Sequence, residues 1–163
     1  MKSSDTLRKK DTVLTDLTEI FAWPQIGVFL IDMAIAVTIG IVIGQERHAA
    51  GKIMGKRSTI ILIVGAFLFT YASQRVGLDH GRVVAQIVTG VGFIGAGIIF
   101  KRGDKDILNL TTAILVWTMA AIGVLIGLNL LIEAVVASAV IYVTLRTKDV
   151  IRRNEKDNKE DNV

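Results

Sequence analysis

Two acidic side chains stand inside otherwise apolar text: Asp32 and Glu133. A carboxylate at membrane depth is costly and needs a proton, a cation or a hydrogen-bonding neighbour. Asp32 lies six residues into an apolar stretch, about 9 Å along a helix axis. Glu133 lies three residues into another, so both fall in the same half of a bilayer. Two readings follow. Either each acid is satisfied by water or a neighbouring helix, or the pair shares a cation or proton site. A hard cation such as Mg²⁺ takes oxygen ligands, and Asn129 offers a third. Two acids alone do not make a pathway across a membrane.

Glu46, Arg47 and His48 close the first apolar stretch, followed by Gly51, Gly55 and Arg57. Such a cluster anchors a helix at the interface by snorkelling, or forms an interaction or anion-binding loop. Two nucleotide-like strings are decoys. Gly90 to Gly95 spells G-x-G-x-x-G, but it lies inside an apolar run without the strand and βαβ unit a dinucleotide fingerprint needs. Gly51-Lys52-Ile53-Met54-Gly55-Lys56 is one residue short of a P-loop and has no Ser or Thr after the lysine. His48 and His80 are expected on opposite sides of the membrane and so share no metal. The chain has no cysteine, no H-E-x-x-H and no G-x-S-x-G, which removes the common thiolate, zincin and hydrolase chemistries. We expect no enzyme activity and no cofactor; a metal ligand set is not readable.

The elements that would position these residues are membrane helices. Of 163 residues, 52% are hydrophobic, and mean hydropathy is +0.54. Five apolar stretches, 26–44, 59–73, 83–100, 107–128 and 130–145, are separated by short charged clusters. A bilayer core needs about 20 helical residues, so we expect an all-α bundle of about five transmembrane helices, with four as the fallback if the last two form one bent unit. Residues 1–25 read as a polar tail or interfacial helix, 26–145 as the membrane domain, and 146–163 as a charged tail. No signal peptide is expected at the N-terminus, where charges of both signs are mixed. Loops 45–58 and 101–106 and the start of the C-terminal tail are basic, so the positive-inside rule puts them in the cytoplasm, the N-terminus outside and the C-terminus inside. The net charge of +4 is spread over loops and tails, with no basic stripe interleaved with aromatics, and no nucleic-acid partner is expected.

Small residues are patterned. Ala85, Thr89, Gly92 and Ala96 fall on one face of the third stretch, with Gln86, Gly90 and Gly97 beside them. Gly40/Gly44 and Gly123/Gly127 are G-x-x-x-G pairs in the first and fourth. Such faces let backbones approach closely, either within the bundle or against a partner in the membrane. Gln86 at that depth calls for an interhelical hydrogen bond. Thr111 and Thr112, at the start of the fourth stretch, read as caps or interhelical donors.

The string Arg82–Phe100 (RVVAQIVTGVGFIGAGIIF) resembles the signature of the MgtC/SapB family of bacterial inner-membrane proteins. So do Ile43-Gly44-Gln45-Glu46-Arg47, Gly55-Lys56-Arg57-Ser58, and Leu110-Thr111-Thr112-Ala113 with Trp117. The resemblance covers residues 26–145 in order. It implies a five-span domain linked to magnesium homeostasis and, in pathogens, to survival inside host cells. It also implies regulation of other membrane machines, notably the F-type ATP synthase, rather than carriage of Mg²⁺. The motif positions it carries over are Glu46, Arg47, Gly55, Arg57, Arg82, Gln86, Gly92, Gly95, Gly97, Thr111 and Thr112. The family's Arg-Gly before Leu-Thr-Thr is here Leu108-Asn109, and Ala-Ile at 113–114 replaces Ala-Ala. The ligand-sensing C-terminal domain of many members is replaced by an eighteen-residue charged tail, so the short form is expected.

Three functions are open. A membrane regulator would dock on a partner's helices and explains the small-residue faces. A small Mg²⁺ or other cation transporter would place Asp32 and Glu133 in a wet cavity, with the chain assembled as a homo-oligomer. An intramembrane enzyme would need a nucleophile and base, which the sequence does not pair.

Overall fold

The structure is a computed structural model. It describes the backbone of residues 23–49, 54–77, 79–102 and 106–160, with side chains for 25–49, 54–77, 79–99 and 108–147. The interfacial helix expected before residue 23, the Gly51–Ile53 part of the P-loop-like string and the end of the charged tail lie outside these residues. Five helices and one hairpin follow in order: α1 (Trp23–Ala49), α2 (Lys56–Arg75), α3 (His80–Ile98), β1 (Phe100–Arg102), β2 (Asp106–Leu108), α4 (Leu110–Gly127) and α5 (Leu131–Glu160). The chain divides into two compact units, 1–32 and 33–163. The packing described below is that of the second.

Helices dominate because the apolar stretches are long and contain no proline, and because a chain in lipid must satisfy its own backbone, which keeps even their glycines helical. Four helices are long and apolar enough to cross a membrane: Gln25–Ala49 within α1, and α2, α3 and α4. In α5 the apolar text ends at Leu145, halfway along. Large apolar side chains point outward on every helix, with Phe93 76%, Ile61 70% and Ile132 79% exposed. A surface of that kind is wetted by lipid rather than water.

The centre is α4. Met119, Ile122 and Ile126 are sealed, and α2, α3 and α5 all pack against it. α2 packs on it most extensively, and α2 and α3 touch each other much less. α3 is the peripheral helix, burying only Val91 and Gly95.

The ends of the elements are set by local chemistry. Asp79 caps α3, its carboxylate accepting from the Arg82 N–H at 3.4 Å, the ordinary role of an aspartate at that position. The α2–α3 turn passes through Gly77 at φ 68, where glycine costs nothing. α4 stops in a Schellman motif. Asn129 is left-handed at φ 62, the Leu130 N–H reaches Leu125 O at 2.9 Å, and the Asn129 N–H reaches Ile126 O at 3.0 Å. α4 and α5 are therefore separate helices, not one bent unit.

The fourth stretch begins differently from the expected 107–128. Ile107 pairs with Lys101 and Leu108 with Phe100 in an antiparallel hairpin, so α4 starts at Leu110. Apolar character carried the expected helix three residues too far, because β2 is itself partly apolar. Asn109 makes the corner at φ 65, and its Nδ2 donates to Ile98 O at 3.4 Å. It thus ties the end of α3 to the start of α4.

Candidate functional site

Glycine decides how the helices meet. A Cβ at Gly40 would lie 2.8 Å from Ile60 Cα, and one at Gly44 would lie 2.7 Å from Lys56 Cα. Further along α2, a Cβ at Gly123 would lie 2.8 Å from Ala66 Cβ, and one at Gly127 would lie 2.6 Å from Thr70 Cβ. Real side chains do not fit at these separations. The two G-x-x-x-G pairs are thus used inside the chain, the first against the opening turns of α2 and the second further along it, on faces that overlap.

That close approach builds a polar node where α1 ends and α2 and α4 begin. Arg47 is 5% exposed and Thr112 2%. The Arg47 Nη2 donates to Thr112 Oγ1 at 2.6 Å across 65 residues of sequence. A buried guanidinium needs such an acceptor, since an unsatisfied charged donor is among the costliest groups to bury. Gly55 caps α2 in an extended conformation. Its carbonyl accepts from the Thr59 hydroxyl at 3.0 Å and the Thr59 N–H at 3.2 Å. Glu46 is half-buried beside Arg47, whereas Arg57 and Thr111 are exposed. The structure therefore joins Arg47 to Thr112, with Gly44 and Gly55 shaping the approach.

The third-helix signature splits in two. Gly95 faces α4, where a Cβ would meet Ala113 O at 3.4 Å. The face of Ala85, Thr89, Gly92 and Ala96 is exposed along its length, as are Gln86, Gly90 and Gly97. Nothing lies within 4 Å of a Cβ at Gly90, Gly92 or Gly97. Of the two uses open to this stripe, within the bundle or against a partner, the described residues do not show the first. The stripe's smallness is not used by any described helix. Between α2 and α3 runs an apolar groove of about 500 Å³, walled by Ile61, Gly65, Phe69, Ile87, Gly90 and Ile94, with Gln86 at its edge. Arg82 is exposed at the start of α3.

The two acids differ. Asp32 is 3% exposed, and its Oδ1 has no hydrogen-bond partner among the described residues. Glu133 is exposed in the first turn of α5, where the helix dipole favours a carboxylate. Among the described residues no group of three or more His, Asp or Glu side chains is placed to hold a metal ion. The G-x-G-x-x-G string is helical throughout and makes no phosphate turn. His48 and His80 stand at opposite ends of α2's 20 residues, about 30 Å apart along its axis.

Sequence reasoning passed over several buried hydroxyls: Thr59, Thr70, Ser73 and Ser138. Thr70 and Ser138 donate to Ala66 O and Ala134 O one turn back, at 2.9 and 2.6 Å, and so need no outside partner. Ser73 donates to Thr70 O at 2.7 Å and lies 3.3 Å from His80 Nδ1. A hydroxyl inside an apolar run was the available signal, but it does not say whether the partner is the residue's own helix.

Comparison with known proteins bears on these positions. The model of the MgtC family matches residues 33–154. An uncharacterized protein of Haemophilus influenzae is 32% identical over 148 residues, covering 84% of this chain and 62% of that protein. YhiD of Escherichia coli (strain K12), named as a candidate magnesium transporter, is 42% identical over 109 residues, 61% of this chain and 50% of that protein. Protein MgtC of Brucella abortus (strain 2308) is 43% identical over 111 residues, 67% of this chain and 46% of that protein. The chain thus spans about half to three-fifths of the length of these relatives. No solved structure matches it.

Proposed function

The chain belongs to the MgtC family, and from that premise we propose that it is a non-enzymatic bacterial inner-membrane protein of magnesium homeostasis that regulates another membrane machine by helix docking. The names of its relatives support the magnesium link. The family resemblance points to the F-type ATP synthase as the machine. One observation carries the docking reading. The glycine pairs of α1 and α4 are filled by α2, while the small-residue face of α3 is open. Close-packing faces in membranes gain little unless a second backbone lies on them. A partner helix on α3 would supply one, and Gln86 would give it a hydrogen bond.

The test is a photoreactive residue at Ala85 or Ala96, used in cells that express the full chain. Crosslinks to a subunit of the F-type ATP synthase, lost on Gly92→Leu, are expected. Crosslinks only to other copies of this chain would replace the partner with a homo-oligomer.

A transport reading retains one favourable observation, the buried Asp32 in an apolar helix. It predicts Mg²⁺ flux in proteoliposomes that is lost on Asp32→Asn. The exposure of Glu133 weighs against a shared carboxylate cage, and docking predicts no flux.

A further inference from the structure

Asp32 has a chemistry that the docking function does not use. It lies seven residues past Gln25, where the apolar span opens, about 10 Å along the helix axis. The buried positions of α1 are Asp32, Ala36, Gly40, Ile43, Gly44 and Arg47, which helical spacing puts on one face. Between Asp32 and Arg47 that face carries no polar side chain. Arg47 is fifteen residues away, about 22 Å along the axis. The other charged side chains of the described spans are Glu46 and His48 on α1, Lys56, Arg57 and Arg75 on α2, His80 and Arg82 on α3, and Glu133 and Arg146 on α5. All but Arg146 stand at or near helix ends, Arg146 follows the last apolar residue of α5's apolar stretch, and α4 has none. Asp32 Oδ1 receives no hydrogen bond among the described residues.

An ionised carboxylate in that position would hold a full charge with one oxygen sealed from every described donor, which a low-dielectric interior penalises heavily. A neutral acid has no such difficulty. Oδ1 becomes a carbonyl oxygen, and the proton sits on Oδ2. We propose that Asp32 is a proton-binding site at membrane depth, whose carboxyl takes up and releases a proton independently of Glu133.

The test is modification of the full chain in proteoliposomes by dicyclohexylcarbodiimide, which attacks carboxylic acids in apolar surroundings. The acid proton passes to a carbodiimide nitrogen while the carboxyl oxygen adds to the central carbon. The adduct then rearranges to an N-acylurea. Nothing leaves, so the peptide gains one whole reagent mass. We expect a single adduct located at Asp32 by fragment mass spectrometry. Its rate should fall about tenfold per pH unit above the titration midpoint and be unchanged by Mg²⁺ or Na⁺. Glu133 should react instead with a water-soluble carbodiimide. Absence of the Asp32 adduct in folded protein would overturn the proposal, as would a rate independent of pH. Protection by Mg²⁺ or Na⁺ at fixed pH would overturn it too, by making the ligand a metal cation. Asp32→Asn should abolish the adduct. If that variant fails to fold, the infrared carbonyl band of a protonated carboxyl in the unmodified chain decides, being present and pH-dependent if a proton is bound.

Discussion

Arg47 holds its charge almost out of contact with solvent, and the 2.6 Å hydrogen bond to Thr112 is one reason it can. Thr112→Val keeps the shape and removes the acceptor. Hydrogen bonds to charged groups contribute about 1.5–3 kcal/mol, so this variant should lose stability of that order. The measurement is thermal unfolding in detergent followed by circular dichroism, and Thr112→Ser should restore most of the loss. Arg47→Lys should not behave as wild type, because an ammonium lacks the planar fork that reaches the hydroxyl. Both residues stood out in the sequence, in separate motifs. Their pairing did not, because 65 residues separate them and periodicity describes a single helix, never its neighbour. Asp32 was legible for the opposite reason: a lone acid in apolar text declares itself without any partner.

The helices are held at glycine contacts along α2, and this predicts a contrast between chemically similar changes. Gly123→Ala must force α2 and α4 apart, since its Cβ would stand 2.8 Å from Ala66 Cβ and 3.0 Å from Phe67 N. Overpacking costs about 1–3 kcal/mol, and the melting temperature of the purified chain should drop. Gly92→Ala meets only open space and should leave that temperature unchanged or raise it, since alanine is favoured over glycine in helices by up to about 1 kcal/mol. A fall at Gly92 equal to that at Gly123 would show that α3 is already covered in the purified protein. The same small-residue spacing appears in α1, α3 and α4, so the sequence shows which faces are small but not which are filled. Filling depends on where α2 lies, and α2 has no such signature. The hairpin was hidden as well. Its strands have three residues each, too few for alternation to register against the apolar runs on either side.

Across the whole molecule, the basic clusters gather at the end where α1 and α3 finish and α2 and α4 start. That arrangement predicts which side of the membrane the end occupies. With no native cysteine, each introduced thiol is the sole target of a membrane-impermeant maleimide. Lys101→Cys should be labelled only from the cytoplasmic side and Val76→Cys only from the outside; the inverse pattern would reverse the orientation. Proteoliposomes holding the folded chain should show no Mg²⁺ flux above empty vesicles. The bond between Arg47 and Thr112 also sets an order in time. At about 5–20 residues per second, Thr112 is polymerised about 3–13 s after Arg47, the interval needed to add the 65 residues from His48 to Thr112. For those seconds the guanidinium has to do without that acceptor. The end of α1 therefore lacks one of its anchors until the fourth helix is made, and the basic end of the bundle is completed late in synthesis.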